Sequence, residues 1–291
     1  MDYRGLWHRL AKVYDRGEAQ AIARTVYEVR YGLTLADLLM GRDSEVPQDE
    51  LEALAARLER QEPVQYVLGE ADFCGRRFHV RHGVLIPRPE TEELCRWIAA
   101  EIQAEREAPG GCTVLDIGTG SGCIAVTLAA ELPEARVTAW DISEEALAVA
   151  RTNAARLGAE VTFSQTDILS TAAAGRRESG GEQTGADSGA WDVIVSNPPY
   201  ICLKERAAMA PNVLEHEPQV ALFVPDDDPL RFYRATAQYG LWALKRGGQL
   251  FFEINPLYAT ALRNLLSTMA YHDIETRADA YGKERMMRAR R

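Results

Sequence analysis

The stretch Thr113-Val114-Leu115-Asp116-Ile117, running directly into Gly118-Thr119-Gly120-Ser121-Gly122, decides the fold. Its first half is a short apolar run of the length of a buried strand, and a helical pattern follows the glycines from Cys123 to about Leu132. A glycine-rich turn between strand and helix lets a ligand approach the backbone closely, as in the nucleotide-binding half of a doubly wound α/β sheet. The spacing is G-x-G-x-G, which is not the dinucleotide fingerprint, and no Walker lysine follows at P-loop spacing. NAD and ATP are therefore disfavoured, and a plain tight turn stands as the alternative reading.

Working outward, a second strand, Arg136 to Trp140, ends in Asp141 about twenty residues beyond the glycines. An acidic side chain there can accept hydrogen bonds from both hydroxyls of a ribose. Ser143-Glu144-Glu145 opens a helix that runs to Leu157 before Gly158. A third strand, Glu160 to Gln165, is followed by Asp167, for which helix capping is the competing role. A fourth, Trp191 to Ser196, runs into Asn197-Pro198-Pro199-Tyr200. Two prolines stop a strand rigidly, because neither donates a backbone hydrogen bond and each fixes its own φ. The Asn197 side-chain carbonyl and the Pro198 backbone carbonyl can then converge on a planar NH2 group, with Tyr200 against its plane. A simple turn closing the strand uses the same residue types.

This series of a glycine loop, two strand-end acids and Asn-Pro-Pro-Tyr resembles the class I S-adenosylmethionine-dependent methyltransferases that act on an amide or exocyclic amino nitrogen. Gly83-Val84-Leu85-Ile86-Pro87-Arg88-Pro89-Glu90-Thr91-Glu92, together with Glu62 to Gly69 and Glu215 to Leu222, narrows the resemblance to the HemK/PrmC family of release-factor glutamine N5-methyltransferases. The resemblance covers nearly the whole chain. It implies a Rossmann-like methyltransferase domain over 93–291, preceded by a helical substrate-recognition bundle over 1–70 and a β-hairpin linker over 71–92. It implies S-adenosyl-L-methionine as cofactor, held by Asp116, Gly118, Thr119, Gly120, Ser121, Gly122, Asp141, Asp167, Ile168 and Asn197. Asn197, Pro198 and Tyr200 are expected to be catalytic, and Asn197, Pro198, Pro199 and Tyr200 to hold the substrate. The implied partner is a bacterial class I peptide-chain release factor, methylated on the glutamine of its Gly-Gly-Gln loop. The chain departs from the family pattern at Ile168, where an aromatic is usual, at Val224 to Asp228 and at Asn255 to Tyr258. An adenine-N6 methyltransferase and a catalytically silent adaptor remain the alternatives.

At 291 residues two domains are expected. With 33 basic against 43 acidic residues the net charge is -10, whereas a nucleic-acid enzyme generally needs a basic face. Basic residues do cluster locally, at Arg76, Arg77, Arg81, His82 and Arg88 and again at Arg285, Arg288, Arg290 and Arg291. Direct nucleic-acid binding is not expected. In the first seventy residues, Leu6, Leu10, Val13 and Tyr14, then Ala19, Ile22, Ala23, Val26 and Tyr27, then Leu51, Leu54, Ala55 and Leu58, recur at helical spacing. Alternation on either side of Arg81-His82-Gly83 predicts a hairpin bending there, and Pro-Arg-Pro leads into a helix from about Thr91 to Arg106. Ser170 to Ala190, rich in Gly, Ser, Ala and charge, reads as a mobile surface loop. The five cysteines lack C-x-x-C spacing, so no metal site and no disulfide framework is expected. No stretch is apolar enough to span a membrane and the N-terminus lacks a signal-peptide pattern, so a cytoplasmic protein is expected.

Overall fold

The computed structural model describes residues 1–105, 111–178 and 189–291. They divide into two units. The first comprises Met1–Glu70 with two short segments from later in the chain, Val80–His82 and Met209–Glu217; the second holds the rest.

The first unit is helical: α1 (Tyr3–Leu10), α2 (Arg16–Tyr31), α3 (Leu35–Leu39), α4 (Gln48–Leu58) and α5 (Val64–Leu68). The caps are local in origin. Asp2, Asp15 and Thr34 accept from the backbone N–H three residues on, and Gly32 and Gly69 close α2 and α5 in the left-handed region. Leu6, Leu10, Ile22, Ala23, Val26, Tyr27, Leu51, Ala55 and Leu58 form one buried core, so the helical periodicity of the sequence is the inner face of this bundle. Val13, expected with them, is instead exposed. Glu62 is buried and accepts from Arg57 Nε at 2.8 Å and faces His82 Nε2 at 3.0 Å. His82 also packs against the Tyr66 ring at a tilt of 37°, with centroids 4.6 Å apart, and its Nδ1 lies 3.3 Å from the His216 carbonyl, so the late segments are tied to the bundle by hydrogen bonds.

The ribbon β1 (Glu70–Phe73) and β2 (Arg76–His79) turns at Cys74-Gly75, both at positive φ (48° and 69°). This corrects the expected bend at Arg81–Gly83. A two-residue turn with both central residues left-handed matches the twist of the flanking strands, and Gly75 supplies it. The region 80–88 contains no strand. Helix α6 (Pro89–Ala104) follows, then the alternation β3 (Thr113–Ile117), α7 (Cys123–Glu131), β4 (Arg136–Asp141), α8 (Glu144–Leu157), β5 (Val161–Gln165), α9 (Ile168–Glu178) and β6 (Trp191–Ser196). Short β7 (Ile201–Cys202), α10 (Pro211–His216), α11 (Gln219–Leu222) and β8 (Phe223–Val224) lead to α12 (Arg231–Ala243), β9 (Leu244–Glu253), α13 (Ala259–Thr268), β10 (His272–Ala278) and β11 (Glu284–Arg290). The expected loop over 170–190 is thus corrected up to residue 178. Ile168 and Ala172 are buried one turn apart and α9 packs on α12, so tertiary burial makes a helix of a segment whose composition suggests none. Residues 179–188 lie outside the described residues.

The main sheet has seven strands in the order β10-β11-β9-β6-β3-β4-β5, with β11 antiparallel to both neighbours and the other pairs among β9, β6, β3, β4 and β5 parallel. Its two faces carry separate cores, one centred on Leu94, Ile98, Val114, Val126, Val195 and Phe251, the other on Leu115, Ile194, Tyr233, Leu250, Phe252 and Met287. β3 lies between β4 and β6, and the strand order reverses there, which is where doubly wound sheets leave a crevice beyond their carboxyl ends.

Candidate active site

Register brings the candidate residues together. Ile117 pairs with Ser196 and Ser196 with Phe252, so Gly118, Asn197 and Glu253 leave or end three adjacent strands side by side. Ser196 Oγ donates to the Ile117 carbonyl at 2.7 Å and ties the first two ends together.

In the glycine loop, Gly118, Gly120 and Gly122 all have positive φ, and the Gly118 and Thr119 N–H groups both donate to the Trp140 carbonyl. A Cβ placed on Gly118 or Gly120 would meet nothing within 4 Å, whereas one on Gly122 would lie 3.0 Å from the Ala150 Cβ of α8. Gly122 therefore serves helix packing, and Gly118 and Gly120 present bare backbone to open space. The hydroxyls of this loop turn inward. Thr119 Oγ1 donates to Asp116 Oδ2 at 2.6 Å, and Ser121 Oγ is buried without a partner. Asp116 is fully buried, and desolvation pushes its carboxyl up to about 7 against the Thr119 hydroxyl bond. Asp141 accepts from the Gly120 N–H through Oδ2 and from the Ser143 N–H through Oδ1, both at 2.9 Å, while burial raises its pKa. The carboxylate retains acceptor capacity for a further donor. Asp167 takes the capping role: Oδ1 accepts from the Leu169 N–H at 2.9 Å and Oδ2 from the Ser170 hydroxyl at 2.6 Å. Ile168, beside it, is almost wholly buried.

At the end of β6, Pro198 is buried and Asn197, Pro199 and Tyr200 are half-buried. Asn197 Nδ2 donates to Glu253 Oε2 at 3.0 Å and to Thr91 Oγ1 at 3.3 Å. The Nδ2 side of the amide thus sits against the Glu253–Thr91 pair, which fixes the amide orientation and leaves Oδ1 as the acceptor for a further donor. Tyr200 O–H donates to Glu253 Oε1 at 2.9 Å, and Asn255 Nδ2 donates to the Tyr200 carbonyl at 3.1 Å. Burial holds the Tyr200 phenol and the Glu253 carboxyl above their usual ranges. Glu253, Asn255 and the partner of Thr91 are not foreseen by the sequence reading, although a glutamate closing the apolar run Leu250-Phe251-Phe252 is a visible signal. The basic clusters are neutralised in part: Arg76 pairs with Glu131, Arg77 with Asp72, Arg285 with Asp279, Arg288 with Glu101 and Arg290 with Glu105. Among the described residues no group of three His, Cys, Asp or Glu could hold a metal, and no helix is long and apolar enough to cross a membrane.

A seven-stranded sheet with one antiparallel strand, bare glycine backbone beyond β3 and an acid beyond β4 defines a class I methyltransferase whose cofactor is S-adenosylmethionine. Residues 109–220 match the family model of a methyltransferase domain and residues 7–69 that of the PrmC N-terminal domain. The chain is 44% identical to the release factor glutamine methyltransferase of Bacteroides thetaiotaomicron, over 97% of this chain and 96% of that one. It is 38% identical to the enzyme of the same name from Flavobacterium psychrophilum, over 96% and 94%. The chain belongs to the release factor glutamine methyltransferase family. Among solved structures, the hMettl16 catalytic domain in complex with the MAT2A 3'UTR hairpin 6 aligns over 93% of this chain and 81% of that one, with TM-score 0.51 and 13% identity, which is a likeness of fold.

Proposed function

We propose that this protein methylates the side-chain amide nitrogen, N5, of the glutamine in the Gly-Gly-Gln loop of bacterial class I release factors. The observation that carries the reading is the orientation of Asn197: with Nδ2 turned to Glu253 and Thr91, its Oδ1 is an acceptor suited to a substrate N–H. The relatives named for release factor glutamine methylation supply the target. Bare backbone at Gly118 and Gly120 and the remaining lone pairs of Asp141 fit a nucleoside cofactor, which when bound supplies an electrophilic sulfonium methyl group.

The difficulty lies with the nucleophile. An amide lone pair is delocalised into its carbonyl, so attack requires the nitrogen to pyramidalise and take on positive charge. Asn197 Oδ1 and the Pro198 carbonyl accept the two N–H groups of the substrate amide, which stabilises the charge as it develops, and the nitrogen then gives up one of these protons to solvent to leave a neutral secondary amide. Tyr200, its hydroxyl anchored on Glu253, flanks the amide plane and restricts its approach. Asp167 and Ile168 line the adenine end, with an aliphatic wall in place of an aromatic one. The bundle over 1–70 contacts the release factor, and the enzyme acts in the cytoplasm.

Label transfer from S-adenosylmethionine to purified release factor, beside a Gln→Ala variant of its Gly-Gly-Gln loop and a DNA duplex, tests the reading. Label in the intact factor alone is expected. Label in DNA would move the function to base methylation, and cofactor binding with no transfer would leave an adaptor. Asn197→Ala is expected to lose at least about 100-fold in rate, by analogy with removing one oxyanion-hole donor, while cofactor affinity falls less.

A further inference from the structure

Glu253, at the carboxyl end of β9, touches both Asn197 and Tyr200 of the candidate site. It is 2% exposed, and among the described residues its side chain accepts three hydrogen bonds: from the Thr91 hydroxyl at 2.6 Å, Asn197 Nδ2 at 3.0 Å and the Tyr200 hydroxyl at 2.9 Å. Three donors and no acceptor are the surroundings of an ionised carboxylate. A buried charge is expensive unless hydrogen-bonded, and these bonds, with Arg285 nearby on β11, offset the cost. Glu90 on α6 opposes the charge; Tyr233 on α12 and Cys123 on α7 are the other titratable groups around it.

We propose that Glu253 is the positioning residue of methyl transfer, acting through Asn197: its carboxylate fixes the Asn197 amide with Oδ1 toward the substrate and polarises that amide so that Oδ1 becomes a stronger acceptor. The inference rests on the glutamine reading above. Its physical basis is amide resonance. A negative oxygen accepting from Nδ2–H draws the N–H bond toward itself, shifts electron density onto Oδ1, and strengthens the hydrogen bond made on the other side, as in any chain of polarised bonds at low dielectric. The strengthened bond matters most when the substrate nitrogen carries positive charge, so the effect falls on the rate and spares ground-state binding. Thr91, donating to Oε2 while its own oxygen accepts from Asn197, completes a closed three-residue ring.

The test is Glu253→Gln in the full chain, which keeps the volume and removes the charge, alone and combined with Asn197→Ala, with release factor as acceptor. We expect kcat to fall at least about tenfold, cofactor affinity to stay within about twofold, and the loss to shrink below about twofold in the Asn197→Ala background, since groups acting as a unit are not additive. The wild-type kcat should decline toward acid pH as Glu253 protonates above the usual glutamate range, and this limb should be absent from Glu253→Gln. A purely structural role would move neither the pH limb nor the coupling. Should Glu253→Gln not fold, Thr91→Val is read in the same way, with a several-fold loss of kcat that again vanishes on Asn197→Ala. Near-normal kcat in the folded variant, or an undiminished loss in the Asn197→Ala background, overturns the inference while wild-type methylation of the factor leaves the glutamine reading standing. A wild-type enzyme that leaves the factor unlabelled overturns both.

Discussion

The glycine loop separates two tasks that share one residue type. Gly122 sits at φ 81° and a Cβ there would stand 3.0 Å from the Ala150 Cβ and 3.2 Å from its Cα, so α7 and α8 approach at this point only without a side chain. Gly120, at φ 57°, meets nothing. Gly122→Ala is therefore expected to lower stability by about 2–4 kcal/mol, combining left-handed strain with overpacking. Gly120→Ala is expected to cost about 1–2 kcal/mol from strain alone, and its larger effect should be on S-adenosylmethionine affinity, because the new methyl group enters the ligand's space. Thermal melts with and without cofactor distinguish the two. Equal loss of affinity in both, with equal melting temperatures, would contradict this division.

Among elements, α8 carries a device that the sequence conceals. Asn153 is fully buried; its Oδ1 accepts from the His79 N–H at 2.6 Å, and its Nδ2 donates to the His79 and Ser121 carbonyls, both at 2.9 Å. One amide thus behaves as a strand neighbour to the end of β2 and a brace for the glycine loop. Asn153→Ala removes three buried or half-buried hydrogen bonds to backbone groups and is expected to destabilise by at least about 2 kcal/mol, measured by denaturant titration. Asn153→Asp, which keeps the acceptor and loses both donations, should be little better. The strand-loop-helix repeat and its site were legible because each carries a local signal: apolar runs, positive-φ glycines, strand-end acids and paired prolines. What escaped depends on distant partners. Asn153 reads as one polar residue in an amphipathic helix, and Glu253 as the exposed end of a strand. The ribbon turn was placed too late because Cys74 gives no turn signal of its own, while Arg81-His82-Gly83 has turn composition without the left-handed pair. Helix α9 is hidden because its composition is that of a loop.

At the scale of the molecule, the first unit is not continuous in sequence. Glu62 joins three of its pieces, through Arg57, His82 and, by way of His82, the His216 carbonyl. Its carboxyl is held down to about 2, chiefly by the hydrogen bond from Arg57. Because the folded pKa lies below the unfolded value of 4.5, this stabilisation is complete above the ordinary glutamate range and is lost as pH falls through about 2. The stability gap between wild type and Glu62→Gln is therefore expected to be constant near neutrality and to close progressively below pH of about 4.5. At neutral pH the variant should also be cut faster by protease within 209–217, with cofactor affinity unchanged. A cut rate equal to wild type would show that the segment is held by other means.

The late arrival of that segment has a consequence for biosynthesis. The chain passes between the units after Glu70, His79, His82, Ala208 and Glu217. A nascent chain emerging from its N-terminus exposes α1 to α5 well before Met209–Glu217 exists, so the bundle waits on the ribosome with His82 lacking its carbonyl partner. The unit made first is in this sense completed only once Met209–Glu217 has been translated.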